Sequence, residues 1–529
     1  MSSWMTVVIA AGSSLLLHLF LLGILYVTPS PLADEAKEEG GIEDAVAQKL
    51  EQKKEDFFED VGDPDRDLAT NDPMPSDDKD NVAAPVMENE PVGSTADATP
   101  VMNDASIPPP PGVNAGAFAG LQAEATGDLG GGVLNTGGMS GALAVGGIAG
   151  RSGGGKKAAL TMGGGSEISE ASVARGLRWL ANHQMPDGSW AMDTHVLPNG
   201  KACGCNKAGK RDSRVAGTAF GLLPMLAAGI THKPNSEKID EKEEGGKGGK
   251  AAYHAQVQKG LNYLIAKQDK RTGAFSSEPY SHSLATIAMC EAAGMTSDPL
   301  LRASAQKAII FVLDFQDPSG GGWRYSPKQA GDTSVTGWMF MALKSAQMAG
   351  LRVAPERYKL VERFLDSVMD SKTGIYGYEK AEGGSPAMTA VGMLSRLYLG
   401  TRPSNENLRK GGEFLKKNPP AAQMGNIYYL YYATQAMHHM GAQNDCWDTW
   451  NLGPNRNGKN GIRDLLIEKQ IGGPKSPPNM THMRGSWDPL GGGFTDDGGR
   501  LMMTSLALLS LEVYYRHLPL YMSEAGAAR

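Results

Sequence analysis

Residues able to do chemistry are sparse in this chain and gather in a few places. Asp332 opens the run Asp332-Thr333-Ser334, and Asp496 and Asp497 stand side by side after Phe494-Thr495. Each of these acids comes just before an apolar stretch of helical character. They are therefore candidates for catalysis as proton donors or polar anchors; the plainer role is capping the helix that follows. Asp212, His282, Tyr325, Tyr378 and Glu382 occupy similar positions and are candidate ligand-binding groups. For His282, packing or capping stands beside a role facing a cavity. Cys203-x-Cys205, with His195 upstream, could offer three soft ligands to Zn²⁺. A solvent-exposed pair of loop thiols, or disulfides outside the cytoplasm, are the alternatives. No other cofactor is expected.

What must position these residues is a repeat. A helix-sized block followed by a glycine-bearing turn with an aromatic recurs as GLRWLANHQMPDGSW, GLNYLIAKQDKRTGAF and AIIFVLDFQDPSGGGW, then in three weaker copies ending at the Gly-Ser-Trp of Trp487. The bulky positions Trp179, Tyr263, Phe311, Phe364, Phe414 and Leu465 mark the six copies, which after the first lie about 50 residues apart. Each block is followed by a second stretch, such as SVTGWMFMALKSAQMAG, that is apolar nearly all round and so should be buried. The first stretches keep charges on one face and should form an outer layer. Six such hairpins either stack as an open solenoid or close into a ring. Every turn delivers the chain to the N-terminus of an inner helix, so in a ring the six turns gather at one mouth. That geometry would bring Asp212, His282, Tyr325, Asp332, Tyr378, Glu382, Asp496 and Asp497 towards one pocket.

The pattern G-x2-aromatic-L-x3-Q…G-x-W, carried by Gln184/Trp190, Gln268/Phe275 and Gln316/Trp323 with Trp487 in the last copy, resembles the QW repeat of squalene and hopene cyclases and of protein prenyltransferase β subunits. It runs from about residue 168 to 518. The resemblance implies an all-α fold, an (α/α)6 toroid in which the glutamine bonds backbone at a helix end and the aromatic stacks on it. It does not carry the chemistry across. The cyclases' Asp-x-Asp-Asp acid is missing, the nearest run being Phe494-Thr495-Asp496-Asp497. The prenyltransferase Asp-x-Cys metal pair is matched only by the tighter Asp445-Cys446, with His482 downstream. Two functions follow as expectations. One is a membrane-anchored, extracytoplasmic toroid that binds a lipid, peptide or glycan at the ring mouth without cyclase chemistry. The other is an isoprenoid cyclase or prenyltransferase-type enzyme with altered catalytic residues.

Composition bounds the rest. The chain of 529 residues is 41% hydrophobic, enough for a substantial core, and four cysteines exclude a disulfide scaffold. A net charge of −7 excludes a basic nucleic-acid binder. That charge is divided: residues 29–105 hold 22 acids and 6 bases, net −16, whereas 166–529 hold 34 and 42, net +8. Residues 1–28 carry no charged side chain, and Val7–Val27 is long and apolar enough for a transmembrane anchor that would place the remainder outside the cytoplasm. Residues 29–165, acidic and proline-rich and then glycine-rich, read as a disordered linker. Gly153-Gly154-Gly155-Lys156-Lys157 lacks the hydroxyl of a phosphate-binding loop. The toroid is expected over 166–520, with a tail at 521–529.

Overall fold

The computed structural model describes Arg151 and residues 153–517, apart from 198, 241–249, 442–444, 458, 474–481 and 491–493. The transmembrane anchor Val7–Val27 and most of the expected linker lie outside the described residues. Among those described, no helix is long and apolar enough to cross a membrane.

Among the described residues the regular secondary structure is almost wholly helical. A short helix α1 (Gly153–Gly163), inside the range expected to be linker, is followed by α2 (Glu167–Asn182), α3 (Arg214–Ala227) and α4 (His254–Lys267). Next come α5 (Pro279–Thr296), α6 (Pro299–Phe315), α7 (Thr333–Met348), α8 (Pro355–Ser367) and α9 (Pro386–Tyr398). The series ends with α10 (Glu406–Lys417), α11 (Ile427–Met440), α12 (Cys446–Leu452), α13 (Ile462–Lys469), α14 (Phe494–Leu511) and α15 (Val513–Arg516). Two antiparallel pairs of two-residue strands, Ile239–Asp240 with Lys250–Ala251 and Met369–Asp370 with Ile375–Tyr376, only brace loops.

Helices α3, α5, α7, α9, α11 and α14 pack each against the next, and α14 packs back on α3, so the inner layer closes into a ring. Their sequences explain their place: α5 and α11 are buried on every side over most of their length, as helices without a polar face must be. Outer helices such as α8 and α10 bury only one stripe.

The turns repeat one set of bonds. Gln184 Nε2 donates to Gly188 O (2.9 Å) in its own turn and to Gln256 O (2.8 Å) at the start of the next outer helix. Gln268 does the same to Gly273 and Ser304, and Gln316 to Gly321 and Arg357. The last, Gln470, reaches Gly485 O (2.9 Å) and then Ser172 O (2.8 Å), in the first outer helix. Trp190, Trp323 and Trp487 are fully buried, and each donates its indole N–H at 2.8 Å to the carbonyl four residues before the repeat's glutamine: Leu180, Val312 and Leu466. A threonine on the following inner helix accepts each tryptophan's backbone N–H: Thr218, Thr336 and Thr504. Where the fourth copy lacks tryptophan, Tyr376 and Thr389 take these places.

At the end opposite the turns the ring is sealed by charge. Arg151 Nη1 lies 2.7 Å from Glu291 Oε2 and Arg516 Nη2 2.8 Å from Glu291 Oε1, all three side chains being buried. Both arginines thus sit near C-terminal helix ends, where positive charge is favoured.

Candidate functional site

At the ring mouth, four hydroxyls and one carboxylate form a connected cluster. Asp332 is fixed by the turn before it, since its N–H donates to Trp323 O (2.9 Å). It caps α7 by accepting Val335 N–H at Oδ1 (2.8 Å), and the same oxygen accepts the Ser334 hydroxyl (2.9 Å). Ser334 Oγ lies 2.7 Å from Tyr280 Oη, which lies 3.4 Å from Tyr325 Oη, itself 3.3 Å from Tyr378 Oη. The neighbouring repeat's turn is pinned alongside, because Thr333 donates its N–H to Tyr378 O (2.8 Å) and its hydroxyl to Gly377 O (2.7 Å). Tyr280 comes from the first turn of α5, whose cap Glu278 accepts Tyr280 N–H. Three repeats therefore build the cluster. Below it Trp338 stacks on Tyr431 with ring centres 5.5 Å apart, and Tyr428 and Tyr432 pack against each other at 4.8 Å.

Burial sets the electrostatics. Removal from water pushes the Asp332 carboxyl up to about 6, against the opposing pull of its hydrogen bonds with Val335, Ser334 and Tyr378 and of the nearby Arg324. Burial also raises the Tyr280 and Tyr378 phenols above their ordinary value. Tyr325 and Tyr378 are half-buried and Asp332 is fully buried, so the tyrosines form the accessible side of the cluster.

The expected mouth pocket is only partly assembled. Tyr325, Tyr378 and Asp332 come together, joined by Tyr280 and Ser334, which sequence reading did not single out. Ser334 stands two residues after Asp332 in the quoted run, and Tyr280 two before His282; only their shared ring position reveals their role. The other five candidates lie apart. His282 is buried between backbone groups: Nδ1 accepts Phe275 N–H (3.1 Å) and Nε2 lies 3.1 Å from Ala308 O. Burial lowers its pKa to about 4, and a neutral ring with both nitrogens committed ties its turn to the next outer helix. Asp212 is exposed, 3.9 Å from Arg214, and Glu382 is exposed on its turn. Asp496 and Asp497 face Lys210 and Arg211 at 3.8 Å, while their carbonyls accept the backbone N–H groups of the same two residues. They hold the cysteine-bearing loop. An acid strong enough to protonate an alkene must be buried among carboxylates, and Asp496 is 41% exposed beside a lysine.

The cysteines also differ from expectation. Cys203 and Cys205 are free thiols, and the histidine whose nitrogen meets them is His183, which follows α2, rather than His195. His183 Nε2 lies 3.3 Å from Cys205 Sγ. His195 packs beside His183 with ring centres 6.1 Å apart. Burial lowers His183 to about 4 and raises Cys205 to about 12, so these two are neutral as they stand. Cys290 and Cys446 are buried; Asp445 beside the latter turns outward to Arg456 (2.7 Å).

No family model and no curated protein matches the chain. Solved structures with a similar chain path include the GH76A α-1,6-mannanase from Salegentibacter sp. HEL1_6, at 10% identity and a TM-score of 0.43, covering 65% of this chain and 98% of that one. An inactive variant of that enzyme in complex with α-1,6-mannotriose matches at 9% identity and a TM-score of 0.42, covering 65% and 99%. A second inactive variant, with α-1,6-mannotetrose, matches at 9% and 0.42, covering 66% and 99%. The likeness carries no residue and no activity across. The family resemblance read from the repeat is corrected on these three structures, which are mannanases and not squalene or hopene cyclases or prenyltransferase β subunits. With that resemblance go the cyclase-like and prenyltransferase-like character expected of the toroid and the isoprenoid cyclase or transferase expected as its alternative.

Proposed function

We propose that the ring mouth binds a neutral, hydroxyl-rich ligand, an oligosaccharide. The observation that carries this reading is the hydroxyl chain Ser334–Tyr280–Tyr325–Tyr378 ending on Asp332. Such a chain both donates and accepts, bears no fixed positive charge, and stands over aromatic faces. Sugars need that combination, polar edges meeting hydroxyls and apolar faces meeting rings. An isoprenoid chain has no group that can hydrogen-bond the accessible hydroxyls of Tyr325 and Tyr378. The reading is of binding and not hydrolysis, because cleavage of a glycosidic bond generally uses a pair of carboxylates and the cluster's bonds converge on one.

Isothermal titration calorimetry against neutral oligosaccharides tests it, with α-1,6-mannotriose and α-1,6-mannotetraose as first compounds. Binding to at least one compound, weakened tenfold or more by Tyr325→Ala or Tyr378→Ala, is the expected result. Absence of binding across manno-, gluco- and galacto-oligosaccharides, or binding indifferent to both substitutions, overturns it.

A further inference from the structure

We propose that Cys203, Cys205 and His183 bind a thiophilic divalent cation, Zn²⁺ by preference, and that the ion clasps the ring where its first and last repeats meet. The three ligand atoms lie within 4.8 Å of one another. Neighbouring ligands around a tetrahedral ion held at about 2.0–2.3 Å lie roughly 3.3–3.8 Å apart, a separation the His183–Cys205 pair already has at 3.3 Å and the third atom reaches by a shift of about 1 Å or less. The arrangement of each group suits a metal. His183 Nδ1 lies 2.6 Å from Trp179 O. A carbonyl only accepts, so Nδ1 carries the ring proton and Nε2 presents its lone pair to Cys205 Sγ, 3.3 Å away. Backbone carbonyls orient metal-bound histidines in this way. The indole of Trp179, stacked on His183 at 4.3 Å, fixes the ring further. Cys205 N–H donates to Cys203 Sγ (3.3 Å), a bond that stabilises negative charge on that sulfur. Two thiolates with an imidazole favour zinc over the oxygen-seeking cations. His195 supplies the next nitrogen: it is buried, its Nε2 has no hydrogen-bond partner, and its carbonyl accepts Cys203 N–H.

The loop bearing the thiols lies against the last repeat. Asn206 accepts from Arg500 at its carbonyl (3.0 Å) and its side-chain oxygen (2.6 Å), and Lys207 O accepts Arg500 N–H (2.9 Å). Gly209 abuts Gly499, the kink at the start of α14. Anchoring Cys203 and Cys205 to the end of α2 therefore holds α14 against the first hairpin.

The test uses the full chain, purified under reducing conditions and loaded with zinc or with cobalt as a spectroscopic substitute. One zinc per chain should survive dialysis, and the cobalt form should show thiolate-to-cobalt charge-transfer absorption with the intense visible bands of a tetrahedral ion. Cys203→Ser with Cys205→Ser should abolish both signals, and Cys203→Ser alone, at a half-exposed position, should weaken zinc at least tenfold if the double variant does not fold. Zinc should also slow proteolysis within 206–210. Wild-type protein that retains no zinc after loading, or whose cobalt spectrum lacks the thiolate band, overturns the proposal. These readouts are independent of sugar binding at the mouth.

Discussion

Asp332 and Glu291 are both buried acids, and their environments drive them in opposite directions. Asp332 gains no full counter-charge, so its folded pKa is raised to about 6. Its neutral form is the one the fold prefers: the stability tied to it is complete below the unfolded value near 3.8 and is lost as pH rises through about 6. Asp332→Asn keeps a capping side chain but removes the titration. Relative to wild type, the variant should therefore gain about 2 kcal/mol of stability between pH 4 and pH 7.5, at about 1.4 kcal/mol per pKa unit and with the unfolded carboxyl already partly ionised at the lower pH. Urea unfolding of both proteins at the two pH values measures this; a difference that does not change with pH contradicts it. Trp323 gives a prediction that does not depend on pH. Its ring is fully buried and its N–H is used, so Trp323→Ala should cost about 3–5 kcal/mol in the same assay.

At the scale of the element, the unit is the turn between an outer and an inner helix. Gly321 has φ +90°, and a Cβ there would collide with Leu360 O on the next outer helix. Gly485 has φ +94° and would strike Arg175 O in the same way. Gly321→Ala should thus destabilise by more than the roughly 1 kcal/mol that left-handed backbone alone costs a non-glycine residue, since the neighbouring carbonyl must also move; thermal unfolding decides it. These turns were legible in the sequence because glutamine, glycine and tryptophan each leave a distinct letter at fixed spacing. The inner helices were legible because they are apolar on all sides. The site was legible only in part. Tyr325 and Tyr378 stand two residues after an aromatic of the repeat, but whether an acid beside an inner helix points into the mouth or onto a loop depends on tertiary contacts. Asp332 and Asp497 look alike in sequence; one is held by Trp323 O, the other lies against Arg211. His183 adjoins the repeat's own Gln184, and nothing in its sequence position sets it apart from the turn. The family reading failed for a related reason: the repeat specifies how a turn is tied, and ties of that kind do not specify what the ring contains.

For the whole molecule, two polar contacts fasten the ring where its ends meet, beside the packing of α14 on α3. Gln470 joins the last outer helix to Ser172, and Glu291 gathers Arg151 and Arg516 at the base. The attraction of the two arginines outweighs burial and holds the Glu291 carboxyl below the ordinary glutamate range. Its contribution is therefore present above about pH 4.5 and fades as the solution is acidified, the reverse of Asp332. Glu291→Ala leaves two buried arginines facing each other and should cost about 3–5 kcal/mol at neutral pH, measured by urea unfolding. Gln470→Ala removes two bonds to buried carbonyls and should cost about 1–3 kcal/mol, with faster hydrogen exchange concentrated in α2 and α13. The base has a mechanical consequence. Arg151 Nη2 lies 3.5 Å from Arg516 O, so the described chain enters and leaves the ring at nearly one point. Tension applied through its two ends peels α1 and α15 away first and then draws the hairpins off one after another, as a zipper opens, instead of shearing all six together. A ring whose ends meet at one point is thus built to yield gradually to a pull.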